Sequence, residues 1–159
     1  MKKPEMSPFR KVCELLGLLI LIGTLVYIIS NYAGLPAQVP GHYNAAGEVT
    51  DFNGKWVVWL LFGLEAFIYV LLTALIFFPR QTENPNLPWE IDMSYKKNVA
   101  SETVSVICEC KLLSTAMFSY MCWAVIVQRP MSPAPILILC ALIILSVVLH
   151  MINISKYKK

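Results

Sequence analysis

Charge is scarce in this chain, and histidine scarcer still. Only 14% of the 159 residues are Asp, Glu, Lys or Arg, 57% are hydrophobic, and there are two histidines. A soluble domain of this size has too little interior to hide so much apolar surface, so that class is excluded. The two histidines, His42 and His150, belong to different parts of the chain. No nucleophile, base and orienting group stand together, so no enzyme is expected. The polar stretch Leu35 to Lys55 contains no cysteine, so no disulfide can brace it. Cys13, Cys108, Cys110, Cys122 and Cys140 all fall in or near apolar runs. The C-x-C pair at Cys108 and Cys110 has no further ligands beside it, and His42 with Glu48 and Asp51 is a poor ligand set. No metal and no cofactor are expected. Low-complexity tracts and solenoid-period repeats are also missing.

What is present is four long hydrophobic runs. They cover about 12–32, 56–78, 104–127 and 136–152. Each is near the length that crosses a bilayer. Only helices and closed barrels satisfy their backbone in lipid, and barrel strands would alternate polar with apolar. The expected fold is an all-α integral membrane protein: one four-helix transmembrane domain over 1–159, with an ordered outer loop between helices 1 and 2. The first run has a basic leader but no A-x-A-like cleavage site after it, so it reads as a helix of the mature protein.

Lysine and arginine set the orientation. Lys2, Lys3, Arg10, Lys11, Arg80, Lys96, Lys97, Lys156, Lys158 and Lys159 fall on one side, and Lys55 and Arg129 on the other. The basic excess marks the cytoplasmic side, so both termini are expected there, in the cell membrane. The net charge of +3 requires no nucleic-acid partner, because a basic face against anionic lipid accounts for it. Residues 80–94 read as an irregular cytoplasmic loop. The helical pattern resumes from Tyr95, before the apolar run. "QRPMSPAP", Gln128 to Pro135, reads as a short outer turn whose prolines end helix 3 and start helix 4.

Five ionisable residues lie in the runs: Glu14, Glu65, Glu109, Lys111 and His150. Such residues are candidate functional groups, because placing them in lipid costs at least about 2.5 kcal/mol each. Each helix carries one small or polar stripe. Glu14, Gly17, Thr24 and Asn31 line the first helix, and Glu65, Tyr69 and Thr73 the second. Lys111, Ser114, Thr115, Ser119 and Cys122 share a face of the third; Ser146, His150 and Asn153 share one of the fourth. These stripes face partner helices or line a polar path along the axis. Glu14, Glu109 and His150 lie near the cytoplasmic boundary, where snorkelling to water is expected. Glu65 sits roughly 14 Å into its helix from Trp56. From relative depth, Lys111 is expected to pair with Glu14 rather than Glu65.

The outer loop, 35–55, reads "LPAQVPGHYNAAGEVTDFNGK". Pro36 and Pro40 fix φ and favour extended neighbours. "NAAGE" suits a tight turn with Gly47 at positive φ. His42 and Asn44 have groups to hydrogen-bond loop backbone or the Asp51 carboxylate. The segment is expected to cap the bundle's outer mouth, with Pro40 and Gly47 setting the chain path. His42 and Asn44 are the side chains that the fold can spare.

The order Leu35-Pro36, Val39-Pro40, His42-Tyr43-Asn44, Gly47, Asp51, Lys55 resembles a domain-of-unknown-function family that forms the N-terminal part of SdpI-type toxin-immunity membrane proteins. The likeness covers about the first half of the chain. One position departs: the acid that often stands at Thr50 is displaced to Asp51. The resemblance implies a multi-pass membrane protein. For its immunity members it implies protection against a secreted peptide toxin and capture of a repressor at the membrane. Three readings stand open. The first is a binding or resistance protein acting through its outer loop on a peptide toxin or another membrane protein. The second is a small transporter or proton-coupled module using Glu65 and Lys111. The third is an assembly partner of a membrane complex. Composition leaves the oligomeric state open.

Overall fold

The computed structural model describes residues 7–77 and 89–159. Lys2, Lys3, Phe78 and most of the 80–94 loop lie outside the described residues. Among the described residues, four helices are long and apolar enough to cross a membrane: α1 (Pro8–Tyr32), α2 (Val57–Phe77), α3 (Lys96–Val127) and α4 (Ala134–Ser155). They confirm the expected four-span fold.

α1 begins four residues before the apolar run because Ser7 caps it, accepting from the Arg10 amide at 3.4 Å, and Pro8 occupies the first turn. α3 starts at Lys96, as the pattern after Tyr95 predicts. Its 32 residues span about 48 Å, well beyond a hydrocarbon core of about 30 Å. It ends on Gln128 in the left-handed region, φ 56°, followed by Arg129-Pro130. α4 then begins with Pro135 in its first turn.

α3 is the hub: α1, α2 and α4 each pack chiefly on it, and α1 and α2 touch each other little. Two apolar clusters close the ends of the α1–α2–α3 seam. Cys13, Val104 and Cys108, with Ile76 and Leu112, lie near the termini. Ile28, Leu35, Val39, Val58, Cys122, Val125 and Ile126 lie at the opposite end. Buried polar side chains occupy the stretch between them.

The outer loop folds as an antiparallel hairpin, β1 (Gln38–Tyr43) and β2 (Val49–Gly54). The sequence indicates an ordered loop but hides its strands, since two prolines and three glycines interrupt any alternation. The ladder absorbs them through two irregularities. Pro40 faces Phe52, His42 faces Asp51 and Tyr43 faces Val49, leaving Gly41 extra on β1 and Thr50 extra on β2. Val39 and Pro40 turn inward and are fully buried, which seats the hairpin on the end cluster.

At the other end of the bundle the chain closes on itself. Tyr157 stacks on Tyr95 with ring centroids 5.1 Å apart. Asp92 N donates to Tyr157 O at 3.0 Å, and Lys159 N to Glu90 O at 3.1 Å. The Asp92 carboxylate accepts from the Ser94 amide and hydroxyl, and these bonds hold its pKa below the usual carboxylate value.

Candidate functional site: a buried polar column and its hairpin cap

The buried polar side chains of the seam form three tiers, one beside the terminal cluster and two between the clusters. Nearest the termini, Arg10 is 5% exposed. Its guanidinium donates to Ser105 Oγ at 2.9 Å, to Ser101 O at 2.8 Å and to Ser101 Oγ. Ser101 and Ser105 lie one turn apart on α3, facing the start of α1. Read from sequence, Arg10 is only a basic flank; that i, i+4 serine pair was the signal for its partner.

The middle tier is built on Lys111, which is fully buried. Its Nζ donates to Glu14 Oε2 at 2.5 Å and to Thr73 Oγ1 at 2.9 Å, and lies 4.5 Å from the Tyr69 ring centroid. Two hydrogen bonds and one ring face match the three protons of an ammonium. Glu14 is paired with Lys111 as depth predicts, so its charge is held by a partner rather than by snorkelling. Tyr69 and Thr73 come from the stripe that Glu65 heads, so that stripe faces α3.

The third tier holds Glu65, 1% exposed. Thr24 Oγ1 lies 3.3 Å from Glu65 Oε1, 2.9 Å from Ser119 Oγ and 2.9 Å from Ile20 O. A hydroxyl has one proton, so it serves one of these acceptors at a time. Glu65 Oε2 is buried and has no hydrogen-bond partner among the described residues. Thr24 and Ser119 also line a groove of about 280 Å³ with Ile20, Gly23, Tyr27 and Trp123.

On the other face of α3, Glu109 and His150 depart from the snorkelling expectation. Glu102 Oε2 lies 2.6 Å from His150 Nδ1, and Glu109 Oε1 lies 3.1 Å from His150 Nε2. Ser146 donates to Glu109 Oε2 at 2.6 Å. Glu102 and Glu109 are seven residues apart, so one face of α3 presents both to α4. Asn31 and Asn153, the ends of their stripes, make no hydrogen bond to another helix among the described residues. Asn31 donates to Tyr27 O in its own helix, and Asn153 accepts from Lys156.

Above the column sits the hairpin. Its turn is organised by Asn44, whose Oδ1 accepts from the Ala46 and Glu48 amides, both at 2.9 Å, while its Nδ2 donates to the Glu48 carboxylate at 2.8 Å. Asn44 is therefore a scaffold residue, contrary to the expectation that the fold can spare it. Gly47 has φ 81°, and its carbonyl accepts from the Met131 amide at 2.8 Å, which ties the hairpin tip to the α3–α4 turn. A Cβ at Gly47 would stand 1.8 Å from Met131 O.

Tyr43 tucks its hydroxyl into a buried position with no hydrogen-bond partner among the described residues, and burial raises its pKa. Lys55 closes the base: its amide donates to Ala37 O at 3.1 Å, and its Nζ lies 4.8 Å from the Tyr32 ring centroid. Pro36 is exposed at the entrance. His42 and Asp51 are exposed opposite each other; Asp51 Oδ1 accepts from the Phe52 amide at 2.8 Å, and His42 has no hydrogen-bond partner among the described residues. Among the described residues, no group of three or more His, Cys, Asp or Glu is arranged to hold a metal ion.

These features define a multi-pass membrane protein with a hairpin-capped helical bundle. A family model described as Domain of unknown function (DUF1648) matches residues 19–65. That segment holds most of α1, the hairpin and the first part of α2. No curated protein and no solved structure matches the chain.

Proposed function

We propose that the protein is a recognition protein of the binding or resistance kind, acting through the exposed face of its hairpin and not as an enzyme. In this reading it lies in the cell membrane with both termini cytoplasmic, as the lysine and arginine bias favours. The observation that carries it is a division of labour within the hairpin. Val39, Pro40, Asn44 and Gly47 hold the fold, while His42 and Asp51 stand opposite each other and outside it, beside Phe52 at 56% exposure. A rigid support with polar and aromatic side chains left over is how loops carry binding. The likeness of the loop to SdpI-type immunity proteins makes a peptide toxin the first partner class to test.

The second reading, a transporter or proton-coupled module, draws on the unpartnered oxygen of Glu65. Two observations weigh against it. Lys111 has all three donors engaged, and the polar column ends beneath the cluster of Ile28, Val39, Val58 and Cys122.

A growth-protection assay beside a quantitative blot separates the two. His42→Ala with Asp51→Asn should abolish protection at unchanged protein level, and Glu65→Gln should preserve it. Protection lost in Glu65→Gln and kept in the hairpin variants would overturn the recognition reading.

A further inference from the structure

We infer that Glu102, His150 and Glu109 form a proton-binding site that controls the docking of α4 on α3. α4 packs almost wholly on α3. Between helices in lipid no hydrophobic force favours contact, so packing and polar bonds must hold them. The polar bonds of this seam concentrate on one imidazole and two carboxylates, with Ser146 donating to Glu109.

The proton count is decisive. A neutral imidazole has one N–H, yet both ring nitrogens face carboxylate oxygens, at 2.6 and 3.1 Å. Two contacts need two protons. Imidazolium with two carboxylates supplies them, and so does neutral histidine with one protonated glutamate. Either way the trio holds one proton more than neutral histidine with two carboxylates. When that proton leaves to water, one contact sets lone pair against lone pair in a site 15% exposed at His150. Glu102, 28% exposed, lies before the apolar run, on the side of the termini.

The other groups around the trio do not supply the missing proton. α3 adds the Cys110 thiol and α2 the apolar Leu72, both at the groove that His150 lines. α1 brings the Cys13 thiol within electrostatic reach of Glu109, and Arg10 is engaged with Ser101 and Ser105.

The test uses the full chain in neutral-lipid vesicles, with spin labels at Leu71→Cys on α2 and Val148→Cys on α4, in a background without native cysteines. Both positions are exposed. From about pH 5 to about pH 9, the range in which histidine titrates, the label distance should lengthen and broaden. The expected shift is about 5 Å, half the spacing of packed helices. Glu109→Gln is the decisive variant. Its amide donates to His150 Nε2 and its carbonyl accepts from Ser146, so no extra proton is needed and the distance should stay short at both pH values. His150→Ala should give the long distance throughout. A wild-type distance indifferent to pH, or an unchanged pH response in Glu109→Gln, would overturn the proposal. The Glu109→Gln comparison decides it even where His150→Ala fails to fold.

Discussion

Lys111 on α3 and Glu14 on α1 are 97 residues apart in the chain and 2.5 Å apart in space. The pair joins the third helix to the first inside the apolar layer, and Thr73 draws the second helix into the same knot. Removing one member leaves the other without its partner, Lys111 buried and Glu14 a quarter exposed.

Lys111→Met should therefore lower folded yield sharply, by the roughly 3–5 kcal/mol typical of breaking a buried pair. Glu14→Gln should add little in that background. A double-mutant cycle on detergent-solubilised protein measures the coupling, and fully additive losses would separate the two residues. Thr73→Val should cost less, about 1–3 kcal/mol, since one donor of Lys111 is left without an acceptor.

The hairpin should respond to backbone and turn changes before it responds to surface changes. Gly47→Val meets both a left-handed φ and the Met131 carbonyl, so membrane abundance should fall. Asn44→Ala should lower it as well, because two amides lose their acceptor. His42→Ala should leave abundance at the wild-type level. A blot of the three variants checks the order, and an equal loss in all three would make His42 part of the scaffold.

Tyr43 gives the hairpin an alkaline limit. Burial raises its folded pKa above the ordinary phenol value near 10. The folded hairpin then keeps a proton that the unfolded chain releases. Its stabilising share is full below about pH 10 and is lost as pH rises through the raised folded value. Tyr43→Phe should remove this alkaline loosening with no loss at neutral pH, since the hydroxyl has no hydrogen-bond partner to forfeit among the described residues. Hydrogen exchange of the hairpin amides against pH is the measurement; an unchanged alkaline response in Tyr43→Phe would assign it elsewhere.

Topology is open to direct labelling. Ala46, Ser132 and Lys158 are all exposed, the first two at the hairpin end and the third at the end of the termini. In a cysteine-free background, Ala46→Cys and Ser132→Cys should react with an impermeant thiol reagent in intact cells. Lys158→Cys should react only after permeabilisation. The reverse pattern would invert the orientation that the basic residues suggest.

The four spans were legible because hydropathy is a local property, and the Lys111–Glu14 pair because depth along a helix can be counted. The early start of α3 was legible in the polar turn after Tyr95. The hairpin strands were not: Pro40 and Gly41 break the alternation that marks a strand, and the irregular ladder that accommodates them depends on seating against Val58 and Cys122. The two carboxylates on His150 were hidden for another reason. Near a membrane boundary a charged side chain reaches water or a neighbour equally well by depth, and the rotation of α4 about its axis decides which. Asn44 was misread because an exposed asparagine looks the same whether it serves a ligand or its own turn.

The hub position of α3 bears on biogenesis. Glu14, Thr24 and Glu65 belong to helices that leave the ribosome first, yet Lys111 and Ser119 come from the third. Until α3 arrives, the leading pair of helices holds an acid without its cation. The segment that the family model matches, 19–65, contains Thr24 and Glu65 but not Ser119, the α3 residue of their tier. A nascent chain halted before Lys111 thus lacks the cation that Glu14 meets in the folded bundle, and the third helix is the keystone that supplies it.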